Sequence, residues 1–201
     1  MTLNEEFNHN WNRRDDIDLV KIDSLETWWS KEKELYYLIA LPERNHELKE
    51  VLRNLEDIEG LEAYRLEFLH ITVKLFRNGK PDLEDIRNSI DDIKPFTVNY
   101  GELNIFPEVI FLECKAKQIR DANISLNDKF QSSEHEGQDY LPHITLARFN
   151  HNAKQGKIKR GIEEIRHNFE VSNQRINELY LVKDKDTEKP GFKILEKFSL
   201  S

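Results

Sequence analysis

His70-Ile71-Thr72-Val73-Lys74-Leu75-Phe76 and His143-Ile144-Thr145-Leu146-Ala147-Arg148-Phe149 are one seven-residue word written twice, 73 positions apart in a chain of 201 residues. His, Ile, Thr and Phe are identical in the two copies, and Val and Leu are equivalents. With seven His and six Thr in the chain, about 0.2 His-x-Thr matches are expected at random, so chance is a poor explanation. Side chains on a strand alternate between faces, so each copy turns its His and Thr one way and its aliphatics the other. A word repeated at this separation predicts two α+β lobes related by a pseudo-two-fold axis. One motif strand from each lobe would then border a central cleft.

Working outward, the chain reads as an N-terminal extension over residues 1–34, partly helical, followed by a two-lobed domain over 35–201. Asn, Asp and Glu dominate residues 1–18, which predicts a loosely ordered start. Ser24 is placed to cap a short helix with Leu25, Trp28 and Trp29 on one face. Leu35 to Leu41 reads as a strand ended by Pro42. Leu48, Val51, Leu52 and Leu55 have helical spacing, with Gly60 expected at the helix C-cap. Residues 63–75 read as one extended segment, and residues 81–93 as a helix opened by Pro81. In the second half, strands are expected over 96–105 and 109–114, a helix over 118–130 and a polar loop over 132–139. A strand over 140–149, a helix over 157–169 and a strand pair 176–182 with 192–198 complete the prediction.

Composition bounds the function. One cysteine, Cys114, excludes an internal disulfide framework and favours a reducing compartment. The opening residues lack the basic and apolar regions of a secretory signal, and no apolar run is long enough to span a bilayer. A cytoplasmic protein without a membrane partner is expected. A net charge of -8 argues against duplex DNA, whose binding rests on Lys and Arg. Residues 148–175 nevertheless carry seven basic side chains against three acidic ones, a local rim able to receive a short anion.

Two imidazoles and two hydroxyls around one cleft suit phosphodiester cleavage. That reaction needs one group to take a proton from the nucleophile and another to protonate the leaving oxygen. Histidine does either near neutral pH. Threonine hydroxyls can donate to the non-bridging oxygens. Candidate catalytic residues are therefore His70, His143, Thr72 and Thr145. Arg148, Lys74 and Tyr140 are substrate-binding candidates. Strict alternation gives Lys74 the parity of Thr72 but Arg148 the opposite parity to Thr145, so Arg148 requires its strand to bend. The remaining histidines have no recurring context, and no ligand spacing implies a metal. No cofactor is expected.

The motifs His70-Ile71-Thr72-Val73 and Pro142-His143-Ile144-Thr145-Leu146-Ala147-Arg148 resemble those of the two-histidine (2H) phosphoesterase superfamily. That superfamily includes 2′-5′ RNA ligase-like proteins and 2′,3′-cyclic phosphodiesterases. The resemblance covers about residues 35–200. It implies a bilobal α+β fold, two pseudo-symmetric lobes of mostly antiparallel sheet with outer helices and a central cleft, and metal-independent hydrolysis of 2′,3′-cyclic phosphates or 2′-5′ linkages at RNA ends or in small nucleotides. It also implies an acid-base pair at His70 and His143, phosphate holders at Thr72 and Thr145, and a basic residue at Arg148. The alternative is a non-catalytic nucleotide- or RNA-end-binding module on the same scaffold, with residues 1–34 as a surface for a protein partner.

Overall fold

Two motif strands with one apolar face each make a common apolar surface when they pair side by side, and that surface is buried when helices cover it. The computed structural model describes residues 2–21, 35–76, 79–130, 140–184 and 191–201. Its strands are β1 (Tyr36–Ala40), β2 (Leu61–Ala63), β3 (Ile71–Phe76), β4 (Phe96–Ile105) and β5 (Val109–Lys115). They continue with β6 (His143–Phe149), β7 (Gln174–Ile176), β8 (Glu178–Asp184) and β9 (Phe192–Ser199). All pair antiparallel, in the order β7-β4-β5-β6-β3-β1-β8-β9, with β2 also against β6. The result is a curled half-barrel. The motif strands β3 and β6 lie at its middle and pair at Ile71 with Ile144.

A pseudo-two-fold axis passes through that pair. Opposite β3 lies β1, with Ala40 against Ile71 and Ile39 against Thr72. Opposite β6 lies β5, with Leu112 against Ile144 and Phe111 against Thr145. Each lobe then adds two strands, β8-β9 or β4-β7. The core fills the face of Ile71, Val73, Ile144 and Leu146, all buried.

Five helices are described: α1 (Leu3–Asn12), α2 (His46–Glu56), α3 (Leu83–Ile90), α4 (Lys117–Lys129) and α5 (Gln155–Ile165). Asn45 caps α2 through the Leu48 amide at 3.0 Å, and Leu48, Val51, Leu52 and Leu55 form its buried face. Asp82, not Pro81, opens α3 by accepting from Glu84 and Asp85. The lobes are not the halves of the chain. Helix α2, from the first half, packs on β2 and β6, whereas α4, from the second, packs on β3 and α3. Strands β8 and β9 likewise return to the first lobe.

Two further expectations change. Residues 63–75 are not one strand, because a 3-10 turn at Leu66–Phe68 separates β2 from β3. Gly60 is not the α2 cap, which is Asp57. It turns the chain into β2 at φ 101°, where a Cβ would lie 2.6 Å from the Ala153 Cα.

The start of the chain is ordered rather than loose. Thr2 and Glu5 close a capping box, and Phe7 and Trp11, at i, i+4 spacing, are buried. The helix expected around Ser24, Leu25, Trp28 and Trp29 lies outside the described residues, as does the loop 132–139. No described helix is long and apolar enough to cross a membrane.

Candidate active site

Antiparallel pairing of Ile71 with Ile144 fixes what its neighbours face. Carried one residue either way, the register sets His70 opposite Thr145 and His143 opposite Thr72. All four point away from the core face of Ile71 and Ile144. The histidines are then diagonal neighbours, with Cα atoms roughly 7–8 Å apart. Each motif threonine therefore stands beside the other motif's histidine.

The rings are held alike. His70 Nδ1 lies 2.8 Å from the Phe68 carbonyl, and His143 Nδ1 lies 2.7 Å from the Leu141 carbonyl. A carbonyl only accepts, so Nδ1 carries the proton and the neutral ring keeps its lone pair on Nε2. The 3-10 turn at Leu66–Phe68, missed by sequence reading, is what presents the Phe68 carbonyl to His70. Burial lowers the pKa of both histidines, opposed in each by its carbonyl bond; His70 also lowers that of His143. Both residues are half-buried, so the lowering comes from densely packed walls rather than from complete enclosure.

Those walls are aromatic. The His70 ring meets Phe192 edge-on at 5.6 Å and lies 6.5 Å from Tyr37. The His143 ring meets Phe106 edge-on at 5.2 Å and tilts 5.1 Å from Phe111. Phe106, Phe111, Phe192 and Tyr37 are far from their histidines in sequence, and only the strand register brings them together.

Beyond the threonines, both motif strands bulge at the same place. Leu38 pairs with Lys74 but Ile39 with Thr72, so Val73 is the extra residue. Ile110 pairs with Ala147 but Phe111 with Thr145, so Leu146 is the extra residue. A bulge reverses strand parity. Lys74 is thereby turned to the face opposite Thr72, where it is 0% exposed and donates to Asn127 Oδ1 of α4 at 2.7 Å. Contrary to its expected parity, it belongs to the helix-covered side of the sheet. Arg148 is turned back to the face of His143 and Thr145, paired with Val109. Its guanidinium lies 5.2 Å from the centre of the Tyr64 ring. Burial pushes up the Tyr64 phenol, opposed by the adjacent Arg148 charge.

Tyr140, expected as a substrate-binding residue, joins the two motifs. It is buried, and its hydroxyl donates to the Thr72 main-chain carbonyl, tying the approach to the second motif to the first. Among the described residues, no group of three or more His, Cys, Asp or Glu side chains is placed to hold a metal ion.

A curled antiparallel half-barrel with two His-x-Thr strands at its centre is the architecture of a two-histidine phosphoesterase. The chain belongs to the 2′-5′ RNA ligase superfamily, whose family model matches residues 42–188. No curated protein matches it by sequence. Among solved structures it is similar to TT0787 of Thermus thermophilus, at 18% identity and TM-score 0.61, over 83% of this chain and 97% of that one. It is also similar to E. coli LigT complexed with ATP, at 16% identity and TM-score 0.58, over 84% and 98% of the two chains. LigT complexed with 3′-AMP matches at 14% identity and TM-score 0.58 over the same shares. At these identities the likeness is one of fold.

Proposed function

We propose that the protein is a metal-independent phosphoesterase that opens a 2′,3′-cyclic phosphate or cleaves a 2′-5′ phosphodiester, at an RNA end or in a small nucleotide. The observation that carries this reading is the matched pair of imidazoles. Each has Nδ1 fixed by the carbonyl two residues before it, at 2.8 and 2.7 Å, which directs Nε2 to the face they share. One Nε2 accepts the proton of the attacking water as its oxygen bonds to phosphorus. The other imidazole, entering as the cation, gives its proton to the leaving ribose oxygen as the P–O bond breaks. Thr72 and Thr145 donate to the non-bridging oxygens, and Arg148 offsets the charge that gathers there. LigT has been solved with ATP, with 3′-AMP and with phosphate, which supports a nucleotide-sized phosphate ligand for this fold.

Binding a phosphate does not by itself require two titratable groups on opposite sides, which favours turnover over a purely binding role. The test is a short RNA ending in a 2′,3′-cyclic phosphate, and a 2′-5′-linked dinucleotide, each incubated with the protein in EDTA. Multiple turnovers, lost in His70→Ala and in His143→Ala, are expected. Stoichiometric binding without product would establish the binding module instead, and full activity in either variant would overturn the mechanism.

A further inference from the structure

Nothing in the two-histidine chemistry uses the N-terminal helix, which also precedes the region matched by the family model. Yet α1 is built into the side of the cleft that holds His143. Phe7 is 1% exposed, and its ring lies 6.3 Å from Phe111. Phe111 is stacked on Phe106 at 4.1 Å, and both rings meet His143. The helix is also held in one register. Asn10 Nδ2 donates to Asn104 Oδ1 and to the Ile105 carbonyl, both at 2.8 Å. Asn104 Nδ2 donates back to the Phe7 carbonyl at 3.0 Å and to Glu113 Oε1 at 2.9 Å. These anchors fall immediately before Phe106. After the helix, the Val20 amide donates to the Pro107 carbonyl at 2.7 Å, fastening the same turn from its other side. Trp11 lies between the guanidiniums of Arg14 at 4.5 Å and Arg166 at 4.0 Å, and Glu6 pairs with Arg120 at 2.5 Å.

The first lobe differs at the equivalent place. By register, Ile39 stands opposite Thr72 where Phe111 stands opposite Thr145. The aromatic neighbours of His70 are Tyr37 and Phe192, and none of the α1 contacts just described reaches them.

We propose that residues 3–21 form a wall of the catalytic cleft, and that Phe7 is a positioning residue for His143, acting through Phe111 and Phe106. The effect on turnover rests on the function proposed above, but the effect on the ring does not. The aromatic chain from Phe7 to His143 thus gives two otherwise equivalent histidines unequal surroundings. Burial lowers the pKa of both histidines, and for His143 the aromatic chain from Phe7 is part of that burial. Among the described residues, the titratable groups facing that ring are few. From β5, Glu113 stands across from it and is bonded to Asn104 and paired with Arg166 and Lys115. From β3, His70 faces it, and Arg148 of β6 shares its face. Phe7 and Trp11 bring no charge.

The experiment compares full-length Phe7→Leu and Phe7→Ala with Ile86→Ala, a control buried on α3, whose helix packs against α4. The readouts are NMR titration of both ring resonances and steady-state hydrolysis. Phe7→Leu is expected to raise the His143 midpoint toward its ordinary value while His70 stays in place. It should lower kcat roughly tenfold with KM little changed. Ile86→Ala should lower the melting temperature and leave both midpoints alone. If Phe7→Ala does not fold, Phe7→Leu decides. An unmoved His143 midpoint in Phe7→Leu, or equal movement of His70, overturns the proposal. A protein inactive on every phosphodiester would refute the proposed function while the titration still decided this one.

Discussion

The two motif strands share a register and diverge after the threonine. β3 continues Val73-Lys74-Leu75 and β6 continues Leu146-Ala147-Arg148, each with a bulge at its first residue after the threonine. Because the bulges match, Lys74 is equivalent to Ala147 and Leu75 to Arg148. The shared positions supply the symmetric part of the site, two imidazoles and two hydroxyls. The divergent positions divide labour. In the second lobe Arg148 shares the face of His143 and the aromatic wall is backed by Phe7 of α1, while the first places its cation on the far side of the sheet, bonded to Asn127. A symmetric scaffold thus gives an asymmetric cleft, which suits a reaction whose entering and leaving oxygens differ.

Substitutions can break this comparison by degrees. Removing either imidazole should have the largest effect. His70→Ala and His143→Ala are each expected to lower hydrolysis by roughly 10² to 10⁴, as one acid-base role is lost. The double variant should be little worse than the poorer single one, because the pair acts as a unit. Steady-state rates on a cyclic-phosphate substrate measure this.

The basic residues separate the lobes next. Arg148→Ala should cost on the order of 10² in kcat/KM, the loss of one group aimed at developing charge. Lys74→Met should leave kcat/KM within about twofold, yet destabilise the fold by about 1–3 kcal/mol by leaving the Asn127 oxygen short of its donor. Urea denaturation beside the kinetics distinguishes them. Equal loss of activity in the two variants would contradict the opposed faces assigned to these side chains.

The threonines should behave alike. Thr72→Val and Thr145→Val each remove one hydrogen bond to a charged group, worth about 1.5 kcal/mol or roughly tenfold in rate. A threonine whose loss is silent would break the symmetry at its centre.

How much of this could be read in the chain differs by element. The motif words fix strand parity at His70, Thr72, His143 and Thr145, because alternation is a local property. The bulges carry no letter of their own: Val73 and Leu146 are ordinary strand residues. Parity counted straight through them therefore assigns Lys74 to the cleft and Arg148 away from it, and both assignments reverse. The pairing of α2 with β6 and of α4 with β3 is equally silent, since amphipathic spacing identifies a buried face but not its partner. The N-terminal helix was legible in part. Thr2-x-x-Glu5 is a capping box and Phe7 with Trp11 share a face, but a composition rich in Asn, Asp and Glu outweighed those two signals. Phe106, Phe111 and Phe192 could not have been found, because they reach the histidines only through long-range register.

The smallest effects concern pH. Both histidines are lowered from the usual histidine value by burial, so in the free protein each becomes a cation less readily than an ordinary histidine. The alkaline limb of kcat/KM, which reports loss of the single imidazolium, should therefore fall below the ordinary histidine range. For stability, the unfolded chain binds these protons more readily than the folded one. The contribution is fully present above about pH 6.5 and is lost as pH falls toward the folded values. His70→Gln with His143→Gln should flatten that slope in thermal denaturation measured from about pH 7.5 to 5.

The most direct trial of two rings acting on a single anion is inorganic phosphate titrated into the full-length protein, followed by the Cε1–H resonances of His70 and His143. Both signals should shift along one isotherm, and both midpoints should rise as the bound anion favours the imidazolium. Movement of one ring alone, or two isotherms with different dissociation constants, would contradict it.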